Sequence, residues 1–300
     1  MHRAALLFAA VLALPLAAQE PARGREADGV TVERDVEYGV ARDISLRLDL
    51  YRPAELPGEP MPAVVWIHGG GWRGGDKNNA ANCIALARRG FLAVSINYRL
   101  SGVAPFPAAV EDSKCAVRWL RSSAAKLRID PERIGVWGSS AGGHLALMVG
   151  CADEGAGLEG KGGYAGVSSR VRAVISWFGP SDLRGSVLPD GPVSQFLGGS
   201  PADRKDEAAA ASPIVHASAD DPPVLFCHGD RDGTVPLGES ERMSEALTRA
   251  GVKNELIVVK GGGHGWGRGG ETEPSAEEVL ERCLAFLERE LSSGVEEQRK

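Results

Sequence analysis

Ser140 occupies the centre of Gly138-Ser139-Ser140-Ala141-Gly142, directly after the apolar run Ile134-Gly135-Val136-Trp137 and directly before the helix-compatible Gly143-His144-Leu145-Ala146-Leu147. A serine between two glycines at a strand-to-helix turn is placed where its hydroxyl can stand clear of the backbone and act as a nucleophile. A hydroxyl is a weak nucleophile until a base takes its proton, and the base needs a carboxylate to orient it. His264, in Gly261-Gly262-Gly263-His264-Gly265, and Asp232, in His228-Gly229-Asp230-Arg231-Asp232-Gly233, follow Ser140 in the chain order Ser, Asp, His. Acyl transfer also needs N–H donors for the developing oxyanion. His68-Gly69-Gly70-Gly71-Trp72 can bring its main chain close, so the backbone N–H groups of Gly70, Gly71 and Ala141 are the expected donors, with Gly69 in reserve.

Each assignment has a competitor in the chain. Ser139 precedes the apex and reads as structural. Asp230 follows the strand immediately and suits bracing of loop N–H groups. His68 reads as a loop brace, and His144, His216 and His228 as packed or hydrogen-bonded residues. A phosphate-binding loop is excluded, since Asp76 stands where that motif requires lysine. No H-E-x-x-H or other ligand-spaced cluster is present, so neither a metal nor another cofactor is expected.

The elements that must position these residues repeat in a β-α rhythm from Ala63 onward. Short apolar runs at Ala63–Ile67, Phe91–Ile96, Arg133–Trp137, Val171–Trp177, Val224–Cys227 and Leu256–Val259 read as buried parallel strands. Helical stretches at Asn79–Arg89, Ala108–Lys126, Gly142–Val149, Glu239–Ala250 and Ser275–Leu291 intervene or follow. Two earlier strands are expected at Thr31–Tyr38 and Ile44–Tyr51, the second half-buried and antiparallel. The fold class is therefore α/β, with a mostly parallel, doubly wound sheet, helices on both faces, and a small insertion, Leu183–Ser218, before the acid-bearing strand.

Residues 1–18, with Arg3 ahead of the apolar run Ala4–Leu16 and the small pair Ala17-Ala18, read as a signal peptide. Residues 19–29 read as a linker, 30–292 as one catalytic domain and 293–300 as a charged tail. The protein is accordingly expected to be secreted or periplasmic, and its mature form is expected to have no membrane partner. A formal net charge of −6 with scattered Lys and Arg excludes a nucleic-acid footprint. The five cysteines lie far apart, and no disulfide framework is expected.

The three motifs together, His68 to Trp72, Gly138 to Ala146, and His228-Gly229-Asp230-x-Asp232-x-x-Val235-Pro236, resemble the esterase/lipase branch of the α/β-hydrolases. Within it the likeness is to bacterial secreted esterases similar to bifunctional feruloyl and acetyl-xylan esterases, and it spans roughly residues 30 to 290. That resemblance implies a carboxylesterase with a small-molecule or polysaccharide ester substrate, such as acetylated xylan. Arylformamidases share the His-Gly-Gly-x-Trp loop, so an amide or peptide hydrolase on the same triad is the alternative. Little chain between the leader and Ala63 is available for an N-terminal lid, which implies an open site. Trp72, Trp177 and Trp266, near expected loop ends, are the candidate substrate contacts, against the alternative that they pack the core.

Overall fold

The computed structural model describes residues 29–78, 81–185, 191–266 and 271–292. The expected signal peptide, most of the linker and the charged tail lie outside the described residues. Eight strands form one sheet: β1 (Val30–Ala41), β2 (Ile44–Pro53), β3 (Met61–Ile67), β4 (Leu92–Ile96), β5 (Ile129–Ser139), β6 (Ala173–Trp177), β7 (Val224–Gly229) and β8 (Asn254–Val259). Their order is β1-β2-β4-β3-β5-β6-β7-β8. The pairs β1/β2 and β2/β4 are antiparallel and every later pair is parallel. This is the α/β-hydrolase fold.

The helices are α1 (Ala81–Arg88), α2 (Ala108–Ser122), α3 (Ala124–Leu127), α4 (Ala141–Cys151), α5 (Pro192–Leu197), α6 (Lys205–Ala210), α7 (Pro213–His216), α8 (Gly238–Arg249) and α9 (Ala276–Glu290). Alternation along each strand splits the core in two. Val65, Ile67 and Val136 face α2, α4 and α8, while Val64, Trp66 and Trp137 face α1 and α9. Strands buried on both faces take apolar residues at nearly every position, which is why β3, β4, β6, β7 and the second half of β5 read as near-continuous runs. The stretch expected as one helix over Ala108–Lys126 breaks at Ser123, whose N–H is shared between the carbonyls of Trp119 and Leu120. Among the described residues no helix is long and apolar enough to cross a membrane.

The second strand departs from simple alternation. Leu46, Leu48 and Leu50 point into the core, yet Asp49 on the other face is fully buried too. Its carboxylate accepts from Arg34, from the Asp35 N–H and from Lys77 Nζ at 2.8 Å. Lys77 stands just past the glycine-rich loop after β3, so the ion pair fastens the far end of that loop to β2. The near end is held by Tyr98, whose hydroxyl donates to His68 O at 3.1 Å. A buried charge is tolerable only with such complete pairing.

The Leu183–Ser218 insertion carries α5, α6 and α7. Its entry is fastened by buried Glu239, which accepts from the Ser181 and Asp182 N–H groups at 2.8 and 2.9 Å. Its later part, between α6 and α7, is fastened by His144 on α4, whose Nε2–H donates to Ala211 O at 2.7 Å while Nδ1 accepts from Trp72 Nε1 at 3.2 Å. One neutral tautomer satisfies both bonds. Burial lowers the His144 pKa from 6.5 to about 4, against the partial opposing effect of the Ala211 carbonyl.

An unfolded chain takes up a proton on this histidine below its ordinary pKa while the folded protein does not. The stability due to neutral His144 is thus present above about pH 6.5 and is lost as pH falls toward about 4, at roughly 1.4 kcal/mol per pH unit. Buried His68, whose pKa burial also lowers, acts in the same direction. Urea unfolding between pH 7 and 4.5 should show this slope, and His144→Gln should remove about one proton's share of it; equal slopes in the two proteins would contradict the assignment.

Candidate active site

The carboxyl ends of β3, β5, β6, β7 and β8 lie side by side, and each delivers one part of the site. Ile67 pairs with Gly138 and Ser139 with Trp177, so the loop after β3, the turn after β5 and the end of β6 meet at one level. Ser140 follows β5 with φ +55° and ψ −122°, a conformation rarely adopted by a side-chain-bearing residue. The flanking glycines make it possible. A Cβ on Gly138 would sit 2.1 Å from Gly142 O, and one on Gly142 would sit 2.1 Å from Ile67 O. The turn is therefore packed backbone on backbone, with the N-terminus of α4 against the end of β3.

Ser140 Oγ lies 2.9 Å from His264 Nε2, and His264 Nδ1 lies 2.7 Å from Asp232 Oδ2. With the imidazole neutral, Nδ1–H donates to the carboxylate and Nε2 accepts from the hydroxyl. The structure thus brings Ser140, His264 and Asp232 into one continuous chain of hydrogen bonds. Burial by itself would raise the Asp232 pKa. Hydrogen bonds from His228, from His264 and from the Val235 and Thr234 N–H groups outweigh it and hold the carboxyl well below the usual carboxylate range. The Thr234 and Val235 N–H groups reach Oδ1 at 2.8 and 2.9 Å. Asp230, the competing carboxylate, instead accepts from the Gly261 N–H at 2.7 Å and braces the loop that carries His264.

His228 makes a contact not read from the sequence. Its Nε2 lies 2.8 Å from Val235 O and 3.4 Å from Asp232 Oδ2, and its Nδ1 lies 2.7 Å from Ser240 Oγ. It is packed, as expected, but it is packed against the carboxylate. The His-Gly-Asp-x-Asp spacing, four residues from ring to carboxylate, was the available signal.

The glycine loop after β3 runs directly over the serine. A Cβ on Gly69 would lie 3.2 Å from Ser140 Cβ and 2.8 Å from Ser139 O, so no larger residue fits that approach. Gly69, Gly70, Gly71 and Ala141 all line the same cavity as Ser140 and His264, with a volume of about 600 Å³. Ala141 is the first residue of α4, so its N–H and the positive end of the helix dipole are directed at the space above Ser140. His68 hydrogen-bonds through Nδ1 to Gly69 O at 2.7 Å and stacks on Tyr98, the bracing position expected of it.

The tryptophan contacts need correction. Trp177 and Trp266 do not line the cavity. Strand parity turns Trp177 toward α9, where its Nε1 donates to Cys283 Sγ at 3.2 Å and its ring meets Trp66, Trp137 and Trp266. Trp266 is 6% exposed in the same cluster. Trp72 reaches the cavity wall, but at 1% exposure its ring face is stacked on Phe196 and has no open surface for a sugar. The aromatic that does face the site is Phe178, one residue beyond Trp177, with its ring 4.6 Å from that of His264. Its positive φ of 39° reverses the parity of the strand at that point. Among the described residues no group of His, Cys, Asp and Glu could hold a metal ion.

The geometry has counterparts among known proteins. The BD-FAE family model matches residues 48–247. The chain belongs to the BD-FAE family. This BD-FAE chain is 31% identical to Esterase LipQ of Mycobacterium tuberculosis over 73% of its length, and it spans 53% of that relative. Among solved structures, a truncated carbohydrate esterase from gut microbiota superimposes with a TM-score of 0.78 at 32% identity, covering 90% of this chain and all of that one. A propionate-bound thermophilic esterase of Thermogutta terrifontis superimposes at 0.73 and 31% identity, covering 87% of this chain and 94% of that one. The chain thus spans about half the length of LipQ and the whole of the carbohydrate esterase.

The two aspartates of this BD-FAE site separate in kinetics. Asp232→Asn leaves an oxygen for the Thr234 and Val235 N–H groups but takes away the charge that fixes the His264 tautomer, and should lower kcat about 10⁴-fold in a protein that still folds and melts cooperatively. Asp230→Asn should affect Tm more than kcat. Steady-state kinetics and thermal melts on both variants decide the matter, and the reverse pattern would exchange the roles.

Proposed function

We propose that this chain is a serine carboxylesterase that removes short acyl groups from esters, and that its natural substrates include acylated plant polysaccharides. The observation that carries this reading is the unbroken hydrogen-bond chain from Ser140 through His264 to Asp232 beneath the glycine loop. As Ser140 Oγ attacks the ester carbonyl, its proton passes to His264 Nε2, and Asp232 stabilises the imidazolium. The oxyanion rests on the N–H groups of Ala141 and of Gly70 and Gly71. Collapse of the tetrahedral species expels the alcohol, which takes the proton from His264. Water then attacks the acyl-enzyme, giving a proton to His264 that returns to Ser140 as the acid leaves.

Short acyl groups are favoured by what surrounds the serine. Phe178, Pro180, Pro192 and Val235 supply a small apolar wall, and Pro192 of α5 closes against Gly71, where a Cβ would meet it at 3.2 Å. The T. terrifontis esterase bound to propionate and the carbohydrate esterase from gut microbiota support the acyl size and the alcohol class, respectively. The leader-like first 18 residues support export.

Each methylene buried against an apolar wall is worth about 0.8 kcal/mol, close to a fourfold gain in kcat/KM, and the gain stops where the wall ends. Across aryl esters from acetate to decanoate, kcat/KM should peak between acetate and butyrate, and acetylated xylan should release acetate. A maximum at octanoate or beyond, with no acetate released, would overturn the proposal.

A further inference from the structure

The two residues after the oxyanion glycines face opposite ways. Trp72 has φ +56°, and this reversal turns its indole inward to donate to His144 and stack on Phe196. Arg73 is thereby turned outward. It is exposed, yet it lines the cavity that holds Ser140 and His264. Its Cγ lies 3.9 Å from the point a Cβ on Gly71 would occupy, so its stem runs alongside the oxyanion loop.

Besides the two histidines, the charged residues lining this cavity are Arg73 and Asp76. Asp76 is engaged: its Oδ1 accepts from the Asn78 N–H at 2.8 Å and its Oδ2 from Asn78 Nδ2 at 2.9 Å. The backbone N–H of Arg73 closes a turn on Gly70 O at 3.2 Å. Among the described residues its guanidinium has neither a carboxylate nor a carbonyl partner. Five donors in a planar fork, held at the mouth of a cleft, match a carboxylate bidentately.

We infer that Arg73 is a specificity-determining residue that receives a carboxylate carried by the substrate, so that esters of acidic saccharides, those bearing a uronate, are the substrate class of this pocket. The inference rests on the esterase reading above. Because the acyl group is short, the carboxylate belongs to the alcohol portion, which extends from the serine toward the mouth. The preference must be local, since a formal net charge of −6 repels anions at long range.

The test compares 3-carboxyphenyl acetate with its neutral analogue 3-carbamoylphenyl acetate in the wild type, Arg73→Gln and Arg73→Glu. Taking the ratio of kcat/KM values within each protein cancels the difference in intrinsic reactivity. The carboxylate-to-carboxamide ratio should fall about 5-fold in Arg73→Gln and further in Arg73→Glu, chiefly through KM, and the differences should shrink toward 1 M salt. Acetylated xylo-oligosaccharides with and without a uronate branch should follow the same order. Equal ratios in the three proteins would overturn the inference while leaving the esterase reading intact. If neither ester were hydrolysed, the esterase reading would fail, and calorimetric binding of 3-hydroxybenzoate against 3-hydroxybenzamide would still decide the Arg73 contact. A preference for the benzoate that is lost in Arg73→Glu supports it, and equal affinity in all three proteins overturns it.

Discussion

The architecture of the site depends on one backbone constraint, the forced left-handed turn at Ser140. A residue with a side chain at φ +55° costs on the order of 1–3 kcal/mol and persists only where its surroundings over-determine it. Here they do. The Ser140 N–H donates to Trp177 O at 2.8 Å, its carbonyl accepts from the His144 N–H at 3.0 Å, and Gly138 and Gly142 let β3, β5 and α4 meet without intervening side chains. The same contact that strains the serine aims the first turn of α4 at the space above its hydroxyl. The candidate nucleophile and part of the proposed anion site are thus products of one packing arrangement.

The remaining parts are loops, and each is fixed by polar contacts rather than by apolar bulk. Gly69, Gly70 and Gly71 have no side chains to pack, so the loop depends on the residues around them. It is held by Tyr98 at one end, by the buried Lys77–Asp49 pair at the other, and by Trp72 bound to His144 between them. His264 stands on a loop braced by Asp230, and Asp232 is saturated by two histidines and two backbone N–H groups. Preorganisation of this kind lets donors act on developing charge without rearranging during the reaction.

Most of this was legible in the residues, for physical reasons that also explain the failures. Parallel strands buried in the sheet advertise themselves as apolar runs, which marked β3 to β8, while β-branched content and alternation marked the antiparallel β1 and β2. Ser140, Asp232 and His264 were legible because glycine-flanked turns after strands leave few alternatives for side-chain direction. The tryptophans were not. Proximity to a loop end does not set strand parity, and the positive φ of Phe178 placed it, rather than Trp177, beside His264. The contact of His228 with Asp232 was signalled only by the four-residue spacing from ring to carboxylate, and it takes the curl of the loop after β7 to bring the two together. The insertion was expected only as a break before the acid-bearing strand; the hydrogen bond from its Ala211 to His144 is a tertiary contact between residues 67 positions apart, which no local pattern marks.

The proposed mechanism requires that Ser140 be acylated in the course of turnover. Mixing the protein with a propionyl aryl ester, quenching in acid within milliseconds, and mapping the peptides by mass spectrometry observes that species directly. One propionyl group is expected on the peptide containing Ser140, rising over the first turnover and falling again only as the ester is exhausted. Hydrolysis that proceeds at the same rate with the propionyl group on another residue, or with none on the protein at any time point, would contradict it.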